Sequence, residues 1–179
     1  MVTKKAGTTA QKTKSKFMAG ENSQNLEPPK RVLRKFRLVF NTVKTHFQSI
    51  EKKVGIGGAQ VWALSVIASN AGIGVSDLAI ALDIHQTTAS NLVRGLVRLD
   101  MVEVRKDGLD RRTVQLHLLP AGAKIMKKAP APFSGVLPHA LERLDAKTLE
   151  RLDQDLAKLM RLIDTDASAA RIPLGHKSL

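Results

Sequence analysis

Gln86, Thr87, Thr88, Ser90, Asn91 and Arg94 are hydrogen-bonding side chains interleaved with an apolar set, Ala89, Leu92, Val93 and Leu96. Steps of three and four residues put the apolar set on one buried face of a helix and leave the polar set to face outward. Short donors and acceptors at the start of a helix suit the base edges of the DNA major groove, where every base pair presents its own donor and acceptor pattern. A helix pair in a bundle with a solvated polar face gives the same pattern, because helix-turn-helix spacings recur by chance.

The elements that must position this face are written on either side of it. Upstream, Leu78, Ala79 and Leu82 mark one face of a short helix, with Ala79 small enough for close crossing, and a turn is expected at Asp83-Ile84 before the second helix begins near His85. Downstream, Val102, Val104, Val114, Leu116 and Leu118 alternate with Glu103, Arg105, Thr113, Gln115 and His117, the period of two half-buried strands. They form a hairpin whose tip, Asp107-Gly108-Leu109-Asp110-Arg111-Arg112, carries turn residues and two adjacent arginines. A planar, permanently charged guanidinium suits the negative potential of a narrow minor groove. The alternative for Arg111 and Arg112 is a solvated turn with surface ion pairs of small worth.

Over residues 36–163, and most specifically over 76–122, the chain resembles the MarR family of winged helix-turn-helix transcription regulators. The resemblance is carried by Asp107-x-x-Asp110-Arg111-Arg112 and by Leu116-x-Leu118-x-x-x-Gly122. It implies a homodimer on double-stranded DNA with a pseudo-palindromic operator, a repressor released by a small aromatic or anionic effector. By position it makes Gln86, Thr87, Thr88, Ser90 and Asn91 the groove readers, with Arg94 on the same face, and makes Arg111 and Arg112 wing contacts held by Asp110. It also places effectors between the dimerisation helices and the winged unit, where His46 and Trp62 are wall candidates; both are equally readable as core residues.

Several positions depart from the family pattern. Asp83 and Asp100 stand where glycines are common at helix ends, and aspartate tolerates the left-handed conformation better than most residues. Leu119 replaces a usual threonine before Pro120, which suits a first helical position. Asn91 stands where arginine is frequent and Arg94 where an acid is frequent, so no operator sequence carries over.

Composition agrees with a nucleic-acid partner. Among 179 residues, 29 basic and 16 acidic side chains give a net charge of +13. Residues 1–53 hold 13 Lys and Arg against 3 acids, so most of the excess lies upstream of the winged region. Residues 1–29, polar and basic with few large apolar side chains, read as a disordered arm that either touches phosphates or merely solubilises. The arm lacks the apolar core of a signal peptide or a membrane span, and a cytoplasmic, nucleoid-associated protein is expected. With no cysteine, disulfides and thiol-based oxidant sensing are excluded.

The remaining helices read as scaffold. Val32, Phe36, Val39, Phe40, Val43, Phe47 and Ile50 recur at helical spacing over residues 31–53, and a second helix carries Val61, Trp62, Leu64, Val66 and Ile67. After the wing, a helix over 121–128 is interrupted by Pro130 and Pro132, and Leu137, Leu141 and Leu144 resume the period. Asp145 is expected to cap a last helix in which Leu149, Leu152, Leu156, Leu159 and Ile163 form a seam. That seam packs either within the chain or against a two-fold partner, the second being favoured because the winged unit already has a core.

The expected fold is mainly α with a small β wing: an arm (1–29), an N-terminal dimerisation helix (30–57), a winged helix-turn-helix domain (58–119), C-terminal dimerisation helices (120–166) and a tail (167–179). An enzyme is disfavoured. His46, His85, His117, His139 and His176 show no metal-ligand pairing, Gly57-Gly58 lacks the spacing of a phosphate loop, and no cofactor or metal is expected. The stronger rival is a non-specific nucleoid-type DNA-coating protein, which the basic arm would serve.

Overall fold

Leu64, Ile67, Leu78, Leu96, Val102 and Leu116, drawn from five separate stretches of sequence, are fully buried and meet in one core cluster. A computed structural model describes residues 27–106 and 114–174. The elements, in chain order, are α1 (Pro28–Val54), α2 (Gly58–Ser69), α3 (Val75–Ala81), α4 (Gln86–Arg98), β1 (Val102–Arg105), β2 (Gln115–Leu118), α5 (Pro120–Lys128), α6 (Val136–Leu141) and α7 (Ala146–Met160), followed by a 3-10 turn at Ala167–Arg171. The architecture is the mainly helical winged helix-turn-helix that the sequence predicts.

Two units divide the chain, the first ending at Leu38 and the second beginning at Val39. In the first, Pro28 and Pro29 open α1, so helix begins inside the segment expected to be arm. Proline serves there because a first-turn N–H has no helical partner to lose. Val32, Leu33 and Leu38 are exposed.

In the second unit, Val43 and Ile50 of α1 are buried, and Phe47 seats its ring over Gly58 at the first turn of α2 and Gly135 before α6. A methyl group at Gly58 would collide with that ring, so the contact requires glycine. Gly135 has φ 101°, a conformation that glycine takes without strain. Gly57 N–H donates to Gln60 Oε1 at 3.1 Å, closing the start of α2.

The strands pair antiparallel, with Val102 opposite Leu118 and Val104 opposite Leu116. Gly72 N–H donates to the Leu116 carbonyl and Leu116 N–H to the Ile73 carbonyl, each at 3.0 Å, so the loop after α2 fastens the hairpin along its second edge. Burial falls away along β1. Val102 is buried, but Val104 is 43% exposed and not half-buried as its alternation suggests, although Leu116 opposite it is fully buried: β1 is the outer strand, while β2 lies between it and the loop after α2.

Gly122 sits where α5 crosses the hairpin base. A side chain there would collide with the Met101 carbonyl oxygen and the Leu118 side chain, which gives that glycine a packing reason. Pro120 occupies the first turn of α5, as expected. The last helices differ from expectation at their ends. Leu144 lies beyond α6, in the turn that lets Asp145 begin the next helix, and Ile163 lies beyond the end of α7 at Met160, ahead of the polar stretch Asp164-Thr165-Asp166. Asp145 caps α7: its Oδ1 accepts from Thr148 N–H at 3.0 Å. Hydrogen bonds from the Thr148 side chain and backbone hold the Asp145 carboxyl below its ordinary value. No residue of α7 is buried, and Leu152 and Leu159 are exposed.

Candidate nucleic-acid interface

The angle between α3 and α4 is fixed by a left-handed corner. Asp83 has φ 48°, its N–H donates to the Ile80 carbonyl at 3.0 Å, and Ile84 N–H reaches back to the Ala79 carbonyl at 3.0 Å. These two bonds are the closing pair of a Schellman motif, normally built on glycine. Asp100 repeats the motif at the end of α4, with φ 51° and bonds from Asp100 N–H to Val97 and from Met101 N–H to Leu96. Both helix ends therefore keep the geometry that the aspartates were expected to tolerate, and Ile84 is buried directly after its corner.

His85 is the extended residue before α4, and its carbonyl accepts the first helical bond from Ala89 N–H at 3.0 Å. Ala89, Leu92, Val93 and Leu96 are buried, so one side of α4 is committed to the core. The other side carries the predicted readers. Gln86, Thr87, Asn91 and Arg94 are exposed, and Thr88 and Ser90 half-exposed. None of these six side chains belongs to the buried side of α4.

Two hydrogen bonds organise that face. Gln86 Nε2 donates to Ser76 Oγ at 3.0 Å, tying the first residue of α4 to the first turn of α3. Arg94 Nη1 donates to Asn91 Oδ1 at 2.9 Å. That bond engages the acceptor of Asn91 while its amide N–H groups and the other guanidinium N–H groups are donors, so the pair presents chiefly donor chemistry. Such a pair matches the acceptors N7 and O6 of guanine, N7 of adenine and O4 of thymine.

Arg98, Arg105 and Lys106 are also exposed, continuing positive charge from the end of α4 along β1. Arg105 pairs with Glu103 on its own strand. The expected tip residues Asp110, Arg111 and Arg112 lie outside the described residues.

His46 and Trp62 are both half-buried. His46 Nε2 lies 3.1 Å from the Pro132 carbonyl oxygen, which can only accept, so the ring donates from Nε2; its edge meets Phe47 at 5.7 Å between centroids. Trp62 packs against the core cluster. Each residue is engaged in packing.

Sequence reading missed the C-terminal segment. The carbonyl of Arg171 accepts from His85 N–H at 3.4 Å, its guanidinium lies 3.8 Å from the Asp83 carboxylate, and Pro173 is buried. Low apolar content hides such a segment from periodicity, and the signal available was only a proline between two large aliphatic residues, Ile172 and Leu174.

Among the described residues, no group of three His, Cys, Asp or Glu side chains converges as metal ligands do, and no helix is long and apolar enough to cross a membrane.

The MarR family model matches residues 54–113. Among solved structures, the chain is similar to a DNA complex of MepR from S. aureus, with 22% identity over 74% of this chain and 98% of that one and a TM-score of 0.52. It is also similar to a MepR-like protein complexed with pseudoligands, at 17% identity over 74% and 94% of the two chains with a TM-score of 0.52. A third similarity is to a MarR family transcription regulator, at 19% identity over 75% and 88% with a TM-score of 0.51. These likenesses show the fold. No curated protein matches the chain.

Proposed function

Because the MarR family model matches residues 54–113 and the described elements form a winged helix-turn-helix fold, we propose that this chain is a sequence-specific DNA-binding transcription regulator. The observation that carries the reading is the division of α4. One side is wholly committed to the core, and the rest of the surface holds Gln86, Thr87, Asn91 and Arg94 exposed and Thr88 and Ser90 half-exposed. The fold shared with a protein solved on DNA supports it.

In this mechanism α4 enters the major groove with its first three turns. Asn91 and Arg94 act together as donors to base acceptors, while Gln86 is oriented by Ser76 and reads the groove from the start of the helix. Arg111 and Arg112, with Asp110 holding one of them, reach the flanking minor groove, and Arg105 and Lys106 approach the backbone. Two copies, joined through α1 and α5 to α7, read two half-sites about one helical turn apart. Phe40, 62% exposed on α1, and Leu152, Leu159 and Met160 on α7 are apolar surface that such a partner covers. The regulator acts as a repressor, and a small aromatic or anionic molecule held near His46 and Trp62 releases it by favouring a spacing of the two α4 helices that the operator does not fit.

A non-specific coating protein is the second reading, favoured by the basic excess in residues 1–53. Selection of bound fragments from random DNA by the full-length protein separates the two. Enrichment of a two-fold symmetric motif with half-sites about 10 base pairs apart is expected, and a pool that stays random would overturn the specific reading.

A further inference from the structure

We infer that residues 167–174 are a strap that positions α4 for reading DNA, an inference that rests on the reading of α4 as the DNA-reading helix. The segment returns after α7 and forms its own 3-10 turn, with Ala169 N–H on the Asp166 carbonyl at 3.0 Å and Ile172 N–H on Ala169 at 3.2 Å. From that turn it meets both ends of the corner between α3 and α4. At one end the Arg171 guanidinium faces Asp83, the residue whose left-handed backbone sets the corner. At the other the Arg171 carbonyl accepts from His85 N–H. That N–H precedes the helix, outside the hydrogen-bond ladder of α4. Pro173 is buried while its neighbours Ile172 and Leu174 are exposed, so the fold covers the segment at that ring.

The strap holds α4 without covering it. Gln86, Thr87, Asn91 and Arg94 stay exposed with the segment docked, which an autoinhibitory cover would not allow. Nor does the guanidinium supply the hold. Asp83 is 89% exposed at 3.8 Å, and an ion pair so solvated contributes little. The main-chain bond and Pro173 carry the attachment, so Arg171→Lys is expected to behave as the parent protein. The consequence is specificity: a corner that wanders by a few degrees misaligns donors on α4 against base edges but leaves phosphate attraction untouched.

The test compares the full chain with one ending at Asp166 and with Arg171→Lys. In the free protein, NMR-detected amide exchange at His85 should rise about tenfold on truncation while Leu92 and Leu96 keep their protection, showing that the core is intact. On DNA, the truncated chain should lose about five- to tenfold in affinity for the site selected by the full-length protein, and less than twofold for a random duplex. Unchanged exchange at His85 would show that the strap is not docked. A gain of affinity on truncation would make the segment a cover, and equal losses on both duplexes would make it a phosphate contact; each overturns the inference. If the full chain itself prefers no duplex, the reading of α4 fails, and the exchange arm alone then decides whether the strap holds the corner.

Discussion

Asp100 adopts φ 51° at the end of α4, a region where an L side chain crowds the following carbonyl. Replacing it by glycine removes that crowding at the cost of unfolded-chain entropy, and the balance predicts a gain of about 0.5–1 kcal/mol in denaturant unfolding. Asp100→Ala should lose stability, because alanine keeps the Cβ and lacks the short polar chain that tolerates the conformation. This corner was legible because the family resemblance puts a glycine at this helix end and aspartate tolerates the left-handed conformation better than most residues. On α4, Asn91→Ala removes the acceptor that orients Arg94 together with the donors it presents. The expected loss is about 1–3 kcal/mol on the preferred site with little change on random duplex, read by fluorescence anisotropy. Equal losses on both would remove Asn91 from base reading. His46 and Trp62 show where residue-level reading stops. Their types fit a ligand wall and a core equally, and only the Pro132 carbonyl opposite His46 tells what the imidazole is doing in this fold.

At the scale of elements, the apolar period fixed α1 to α5 and the two strands well, since each buries a face against one shared core. Elements without a buried face were harder to delimit. The last helix ends at Met160, short of Ile163, because no core contact extends the ladder there, and the pairing of Gly72 and Ile73 with Leu116 left no mark in the pattern of side chains. The N-cap of α7 was readable, since aspartate before a helical seam has a specific job. Its lowered carboxyl gives a pH signature. A group whose folded pKa is depressed contributes fully above the ordinary aspartate range and loses that contribution as pH falls through the lowered value. NMR titration should therefore show Asp145 titrating below ordinary aspartates, with the Thr148 amide shift following the same curve. An ordinary aspartate titration there would mean that the cap is not formed in solution.

For the whole molecule, the exposed apolar residues of α1 and α7 and the polar face of α4 make two separate demands, one for a second copy and one for DNA. Deleting residues 146–179 removes α7 and should convert the dimer expected from light scattering into a monomer with weaker DNA binding. A full-length chain that scatters as a monomer at micromolar concentration would contradict the two-fold arrangement. Charge was legible from composition, yet charge alone cannot separate a reader from a coater, because phosphate attraction serves both. The separation lies in how much tighter one sequence is held than another. The most direct measurement is the ratio of dissociation constants for the selected site and for a scrambled duplex of equal length and composition, taken at physiological salt. Reading by α4 predicts a ratio of about 1,000 or more in favour of the selected site, whereas a ratio near one would contradict sequence-specific recognition and leave a protein that coats DNA by charge.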